Sequence, residues 1–423
     1  MIVTKSHIIC QAFIAQTLFL RYTYQNQNFS RGGDLIMDNV RPEFSIPAPV
    51  VFGRGAVATV GDRVRELGCK KALVLCDKGV EACGIAGKIT DSLAAAGIDA
   101  VVWNGVQVDP PDSSVDEAGA FAVAAGADCL IGVGGGSALD TAKATAIYML
   151  DPGPVKRYVL AHPIKVETTI PILLIPTTSG TGSECTPVAI ISRPDMNTKW
   201  SVFVNTTIGI VDPALTDSLP KGETASTGLD ALAHAVEAMT GNAWNYHADL
   251  FAEAAVRKIW DNLYTAWSEP KNANARDEMA LAANWAGIAF GNPLTHVGHS
   301  CADAFGCHFH VAHGLGCALA LPETIALIGD VVPGRIHTIA NAMSLDRPAD
   351  EPAAKTARVI ADAILELMRK MEMKSLSALG YTREQVVALA PDVVSNHLAS
   401  YCPVPVTLEV AEKLLGDIYD TYQ

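Results

Sequence analysis

The chain has 423 residues, of which 49% are hydrophobic and 18% charged, and its formal net charge is −14. This length suits two domains better than one compact core, and an acidic chain without a basic stripe argues against nucleic-acid binding. The chain contains no run of 18 or more apolar residues, so no membrane span is predicted. Its ten cysteines form no CxxC pair, which is typical of a reduced, cytoplasmic protein.

The first 36 residues differ in character from the rest of the chain. Their segment "HIICQAFIAQTLFL" is apolar and uncharged, so it could be the core of a signal peptide, although no small-x-small cleavage site follows. It could also be an amphipathic docking or encapsulation helix. We prefer a third interpretation, a misassigned start codon, in which the fold begins near Met37 and residues 1–36 are an untranslated or disordered extension.

From residue 49 to about 215, short β-rich runs alternate with helical runs, as "KKALVLCD" (70–77) and "DCLIGVGGG" (128–136) illustrate. This alternation is typical of βαβ units and a parallel sheet. From about Pro220 the strand pattern stops and helical patterns continue to the C-terminus. We therefore predict a Rossmann-like dinucleotide-binding α/β domain over residues 37–217 and an all-α domain over residues 218–423, with a ligand cleft between them.

A glycine-rich turn lies where a strand passes into a helix, in "IGVGGGSALDTAK" (131–143). Glycines let the backbone approach a diphosphate, and the N–H groups of the new helix attract its charge. The spacing G-x-G-x-x-S is also compatible with an ordinary tight turn. Asp77, at the end of an earlier strand, could accept hydrogen bonds from ribose hydroxyls and would favour NAD over NADP, or it could be a simple turn residue. The loop "PTTSGTGSE" (176–184) follows another strand on the same edge.

A possible metal site begins with Asp230 and His234 in "GLDALAHAVEA", four residues apart on one helical face. Such a pair can chelate a divalent ion, although a solvated Asp beside a packed His is also common. The segment from His296 to Gly316 holds five of the chain's eleven histidines. Two ligands from helix termini in this segment would complete an Asp/His₃ site with one face open to substrate.

Five ordered motifs, "GGGSALDTAK", "PTTSGTGSE", "DPALT", "GLDALAHAVEA" and "HGLGCALALP", resemble the iron-containing, group III alcohol dehydrogenase family from about Pro47 to the C-terminus. The resemblance implies NAD(H) in the α/β domain and a divalent metal, usually iron and sometimes zinc, in the helical domain. It implies as metal ligands Asp230, His234, His299 and His313, and it leaves His296 as a packed residue or as a residue that supports a ligand from behind. It implies as cofactor-binding residues Asp77, Gly134, Gly135, Gly136, Ser137, Asp140, Thr177, Thr178 and Lys199.

One position departs from the family's pattern. Members usually carry a further histidine four residues after the first of the late pair, and here Asp303 stands at that position. Asp303 could act in proton transfer, could orient His299 through a hydrogen bond, or could match a different substrate group. We predict catalytic roles for Asp303 and for His310, which we expect to line the substrate pocket.

The sequence therefore predicts a metal-dependent, NAD(H)-linked alcohol dehydrogenase or aldehyde reductase, and a polar pocket with Cys301 and His308 favours a small polar substrate. We expect a cytoplasmic homodimer or larger homo-oligomer. One alternative is a sugar-phosphate-processing lyase of related fold that uses NAD and a metal and needs basic residues around its cleft. Another is a non-enzymatic, microcompartment-associated protein, which only the N-terminal segment suggests.

Overall fold

The computed structural model describes residues 43–158, 165–166 and 168–423, so the predictions for residues 1–36 lie outside the described part. A parallel six-stranded sheet forms the centre of the first half. Its strands are β1 (Val50–Phe52), β2 (Lys71–Leu75), β3 (Asp99–Trp103), β4 (Cys129–Gly134), β6 (Ile172–Pro176) and β9 (Ile208–Val211). They lie in the order β1-β9-β6-β4-β2-β3 across the sheet.

The central strands are apolar along their whole length because helices cover both faces of the sheet. Strands β4 and β6 are buried at every residue, as is usual for parallel sheets. Alternate side chains contribute to two separate apolar clusters, one on each face. The helices of this half are α1 (Val60–Glu66), α2 (Lys78–Ala82), α3 (Ile85–Ala95), α4 (Asp112–Ala125) and α5 (Gly136–Leu150).

A second, smaller sheet was not predicted from the sequence. Strands β7 (Val188–Arg193) and β8 (Thr198–Val204) form an antiparallel hairpin, and β5 (Lys165–Val166) pairs with β8. The hairpin turns at Asn197, which adopts a left-handed conformation with φ 52°. Asparagine tolerates this conformation better than most residues. The hairpin packs Trp200 against one of the two apolar clusters and brings Lys199 to Asp109.

The second half of the described chain is helical and has its own extensive apolar core. In the described part, β9 is the last strand, and the chain from Lys221 onward forms helices only. This agrees with the predicted α/β plus all-α fold class. The domain limits at residues 37, 217 and 218 stay predictions. The helices are α6 (Lys221–Thr240), α7 (Tyr246–Ser268), α8 (Ala273–Phe290), α9 (Val297–Phe309), α10 (His313–Ile328), α11 (Pro333–Ala342), α12 (Ala353–Lys370), α13 (Arg383–Val387), α14 (Ala390–Ser395) and α15 (Leu408–Thr421).

None of the helices in the described part of the chain combines the length and the apolar character needed to cross a bilayer.

The loop after β6 joins the two halves of the molecule. Gly182 lies at φ 59°, and a Cβ there would approach the backbone of Gly287 on α8 to 2.5 Å. Only glycine permits both the conformation and the contact. Next to it, Asn284 Nδ2 donates a hydrogen bond to the buried Glu184 carboxylate (2.7 Å). The carboxyl edge of the sheet is thereby held against the helical half.

Candidate metal and cofactor site

Four predicted ligands converge in the helical half. The oxygen Asp230 Oδ1 lies 3.8 Å from Nδ1 of His234, 3.9 Å from Nε2 of His299 and 3.7 Å from Nε2 of His313. Ligand atoms about 2.1 Å from a shared tetrahedral ion would be separated by about 3.4 Å. The ligand atoms of Asp230, His299 and His313 lie within 4.8 Å of one another, so these three residues could hold one cation. His234 is not in that group, but its Nδ1 is close to the shared Asp230 oxygen.

The unsatisfied polar atoms at this point also fit a metal. Within the described residues, Asp230 Oδ1, His234 Nδ1 and His299 Nε2 are buried without a hydrogen-bond partner. Buried polar atoms normally find partners, so a cluster of three such atoms fits a cation-binding site. Asp230 and His234 lie one turn apart on α6, while His299 and His313 come from α9 and the start of α10.

Metal binding requires neutral imidazoles and an ionised carboxylate, and the protonation states of three of these groups suit it. Burial alone would lower the pKa of His299, but Glu237 and Asp230 outweigh it and raise the pKa, so an ion at this position would displace a proton from His299. Burial lowers the pKa of His234 to about 3 and also lowers the pKa of His313. Burial alone would raise the pKa of Asp230, but His234, His313 and His299 outweigh it and hold the pKa below its usual value. At neutral pH the pair on α6 is therefore a carboxylate and a neutral imidazole.

A buried carboxylate that the sequence analysis overlooked orients His299. Glu237 Oε1 accepts a hydrogen bond from Nδ1 of His299 (2.8 Å), and its other oxygen accepts from the backbone N–H of His296. The bond leaves Nε2 of His299 free to face Asp230. The signal was present in the sequence, since Glu237 follows His234 by three residues and Asp230 by seven on the same helical face. His296 is fully buried and contacts Thr240 Oγ1 (2.9 Å), in agreement with the predicted packing role.

Cys317 is a second group that the sequence analysis overlooked. Its ligand atom and those of Asp230, His299 and His313 all lie within 4.8 Å of one another. The side chain is 1% exposed and follows His313 by one turn of α10.

Asp303 does not orient His299, so that alternative is wrong. Nδ1 of His299 is already bonded to Glu237, whereas the Asp303 carboxylate accepts a hydrogen bond from Asn396 Nδ2 (3.0 Å) and lies 4.0 Å from Nδ1 of His313. Asp303 thus lies on the side of His313 that faces away from Asp230. Its predicted role in proton transfer or substrate matching stays a prediction.

Lys199 lies between the two halves, near Asp303. Its Nζ donates to Asp109 Oδ1 (2.9 Å) and would be 3.1 Å from a Cβ on Gly306 of α9. Burial alone would lower the pKa of Lys199, but Asp303 and Asp109 outweigh it and raise the pKa. Asp109 also donates its backbone N–H to Ser137 Oγ (3.1 Å). One chain of contacts thus connects the glycine turn with the neighbourhood of the metal ligands.

The other residues of the predicted pocket lie further out. His310 ends α9 in a left-handed conformation (φ 53°) and is exposed, and its predicted catalytic role stays a prediction. His308 is exposed and contacts Asn197 Nδ2 (3.1 Å) and Asp392 (3.3 Å). Cys301 was predicted to contribute to an open polar pocket, but it is fully buried and does not.

The glycine turn and the loop after β6 are packed against each other. Gly134 has φ 147°, and a Cβ on Gly136 would approach Thr181 Cγ2 to 2.7 Å. The backbone N–H of Thr177 donates to the carbonyl of Gly134 (2.9 Å), and Thr178 lies beside Gly135. No side chain caps the first turn of α5, so an anion could bind at the N-terminus of this helix.

Asp77 lies beside this turn. Its Oδ1 accepts the backbone N–H of Val80 (2.9 Å) at the start of α2, and its Oδ2 would be 3.8 Å from a Cβ on Gly134. The carboxylate therefore acts as a helix cap and also stands where a nucleotide ribose could reach it. The structure accommodates both interpretations of this residue.

Asp140 has protein partners for both carboxylate oxygens, which accept from Ser183 Oγ (2.6 Å) and the backbone N–H of Ile190 (2.9 Å). This geometry indicates that Asp140 holds the loop after β6 in place, and it favours that role over direct contact with a cofactor. Beside it, the fully buried Lys143 donates to the carbonyls of Ser183, Thr186 and Val188. Lys143 was not predicted from the sequence, and together with Asp140 it fixes the loop around Thr181 against α5.

Comparisons with known proteins identify the family to which both halves of the chain are similar. Residues 47–213 match the family model of the iron-containing alcohol dehydrogenases, and residues 224–419 match the model of the family's C-terminal part. The sulfoacetaldehyde reductase of Bilophila wadsworthia is 32% identical over 81% of this chain and 89% of its own length. The choline dehydrogenase of Bacillus subtilis is 32% identical over 84% and 89%.

A solved structure gives the same result for the fold. The sulfoacetaldehyde reductase of Bifidobacterium kashiwanohense, determined in complex with NAD+, superposes with a TM-score of 0.81 and 26% identity, covering 90% of this chain and all of the other. The predicted fold class and the predicted reaction class are thereby confirmed. The chain belongs to the iron-containing alcohol dehydrogenase family, whose members are metal-dependent, NAD-linked oxidoreductases.

Proposed function

We propose that the chain interconverts small polar aldehydes and alcohols with NAD(H) at a divalent metal held by Asp230, His234, His299 and His313. The observation that carries this proposal is the convergence of three imidazole nitrogens on one buried, unpartnered carboxylate oxygen. A divalent metal at such a site supplies Lewis-acid polarisation of a substrate oxygen, and NAD(H) supplies or accepts the hydride. Iron is the first candidate and zinc the second.

The protein's own residues have separate tasks in this proposal. Glu237 fixes the ring orientation of His299, and the loop held by Lys143 and Asp140 shapes the wall of the cofactor crevice. The glycine turn at residues 134–137 would hold the diphosphate, with Asp77 at the ribose. Lys199 would meet the nicotinamide end, because its contacts with Asp109 and α9 place it between the turn and the metal ligands.

The charges near the metal ligands favour neutral or cationic substrates. Lys199 carries one positive charge between two carboxylates, Asp109 and Asp303. These three side chains together have one excess negative charge, which opposes the attraction of the divalent metal for an anionic aldehyde. The same ion pair weakens the sugar-phosphate lyase alternative, since Lys199 is already engaged by Asp109. We propose a neutral or cationic small polar aldehyde as substrate.

We also propose a cytoplasmic location. The nine cysteines in the described part are all unpaired, which fits the predicted cytoplasmic location. The expectation of a homodimer or larger homo-oligomer rests on the family resemblance.

Reconstitution tests the proposed function. Protein stripped with a chelator and reloaded with Fe²⁺ or Zn²⁺ should oxidise NADH in the presence of a small neutral aldehyde such as glycolaldehyde, whereas the stripped protein should not. Absorbance at 340 nm measures the rate. The panel includes a carboxylated, a sulfonated and a quaternary-ammonium aldehyde. NADH oxidation that proceeds equally well without any metal would contradict the proposal.

The role of Asp303 in substrate choice gives a second prediction. Replacement with Asn should raise kcat/KM for an anionic aldehyde relative to a neutral one by about tenfold, because one negative charge near the reacting group is removed. Steady-state kinetics at low ionic strength measure the ratio. Asp330→Asn, at an exposed position, is the matched control and should leave the ratio unchanged. If the Asp303→Asn variant has the same ratio of kcat/KM values as the wild type, the charge of Asp303 does not influence substrate choice.

A further inference from the structure

We propose that Cys317 contributes its sulfur to the coordination shell of the metal and thereby biases the site towards thiophilic ions such as Zn²⁺ and Co²⁺ over Fe²⁺. The inference rests on the proposed metal site and goes beyond its four ligands. The sulfur would be a donor additional to Asp230 and the three imidazoles, and a further position would stay open for a substrate oxygen.

The distances support a shared ion. Sγ of Cys317 lies 3.5 Å from Nε2 of His313, a hydrogen-bonding contact when no ion is bound. An ion about 2.1 Å from the nitrogen and about 2.3 Å from the sulfur can join atoms up to about 4.4 Å apart, so this separation lets one ion reach both. The ligand atoms of Asp230 and His299 lie within 4.8 Å of the same sulfur.

The atoms that face the sulfur are themselves unsatisfied. Asp230 Oδ1 and His299 Nε2 are buried and have no hydrogen-bond partner in the described part of the chain. They belong to residues that are 1% and 4% exposed. A cation between these two atoms would satisfy both, and Cys317 is close enough to Asp230 for its thiol to interact with the carboxylate. The sulfur therefore lies within reach of the same ion.

The local fold fixes the position of the sulfur. Cys317 follows His313 by four residues on α10, so both side chains project from the same face. The preceding Gly316 lets α10 approach Ala302 on α9, where a Cβ would come to 3.1 Å. Cys301 on α9 is equally buried but is absent from the group of ligand atoms that could share an ion.

Binding of the sulfur balances without any oxidation. The S–H bond breaks, its proton passes to solvent, and the sulfur lone pair forms the bond to the metal. Soft thiolate donors favour zinc, while carboxylate and imidazole donors alone discriminate less strongly among divalent ions. The sulfur should therefore alter which metal the protein selects, independently of turnover.

The experiment uses absorption spectra of the full chain, stripped of metal and loaded with Co²⁺ under anaerobic conditions. Sulfur ligation should give a strong near-ultraviolet charge-transfer band in the wild-type protein. The band should disappear in Cys317→Ser and Cys317→Ala and persist in Cys301→Ala, the matched buried control. In competition between equal concentrations of Zn²⁺ and Fe²⁺, the bound Zn:Fe ratio should fall about tenfold in Cys317→Ala.

The possible failures are distinguishable. The sulfur is not a ligand if one Co²⁺ binds per chain but the charge-transfer band is missing, or if the band persists in both Cys317 variants. Either result overturns the inference and leaves the four-ligand site in place. If the wild-type protein binds no Co²⁺ at all, both the inference and the proposed function fail.

Discussion

Replacement of Asp230 with Asn is expected to abolish metal binding and NADH-dependent aldehyde reduction together. Asp230 Oδ1 is the one atom to which His234, His299 and His313 are all close. Asn keeps the size of the side chain but loses the charge, and its amide group cannot replace an anionic ligand. Loss of Lewis-acid stabilisation worth several kcal/mol should lower kcat/KM by about a thousandfold or more.

Two measurements separate loss of the metal from loss of the fold. Metal content by mass spectrometry should fall to background in Asp230→Asn, while the unfolding temperature of the metal-free variant should equal or exceed that of the metal-free wild type. Added Fe²⁺ or Zn²⁺ should raise the unfolding temperature of the wild type only, because a ligand stabilises the state that binds it. Asp261→Asn, exposed on α7, is the control. An Asp230→Asn protein that turns over without metal would refute the mechanism.

The parts of the site that the sequence predicted are those set by local spacing. The offset of four residues between Asp230 and His234 determines that both lie on one face of α6, wherever α6 lies in the fold. Strand–turn–helix patterns likewise located the glycine turn. The pairing of α9 with α10 was not derivable from spacing, and His299 and His313 entered through the family resemblance.

The residues that were missed depend on contacts between distant segments. Glu237 and His299 are 62 residues apart in the chain. Asp303 lies four residues after His299 but contacts Asn396 and His313 instead, so the spacing alone was misleading. Lys143 reaches carbonyls 40 to 45 residues away. The β7–β8 hairpin was missed because its polar turn carries no Gly and its strands are only partly apolar.

The second large effect is expected for Glu237→Gln, through the tautomer of His299. The carboxylate accepts two hydrogen bonds, one from His299 Nδ1 and one from the backbone N–H of His296. Gln has only one accepting oxygen at this position, and its NH₂ group must face one of the two donors. If the amide turns its NH₂ towards His299, the ring must accept at Nδ1 and carry its proton on Nε2, the atom that faces Asp230.

The expected loss in metal affinity is about 10- to 100-fold, measured by competition with a chromophoric chelator. Burial alone would raise the pKa of Glu237, but His299 and His296 outweigh it and lower the pKa to about 2. Because the folded-state pKa lies below the usual 4.5, the carboxylate's contribution to stability is fully present above that pH and is lost as the pH falls through the folded-state value. Glu237→Gln should remove that part of the acid dependence of unfolding.

Glu412→Gln, exposed on α15, is the matched control for the loss of one carboxylate and should keep wild-type metal affinity. Nitrogen-15 NMR of the histidines in the metal-free protein reports the tautomer directly at a pH above the raised pKa of His299. There the wild type should show His299 protonated at Nδ1 alone, and the Glu237→Gln substitution should shift the ring towards protonation at Nε2. Unchanged affinity together with an unchanged tautomer would mean that backbone packing, and not Glu237, orients this imidazole. A purely structural loss would instead lower the unfolding temperature without moving the NMR signals, so the tautomer is the decisive measurement.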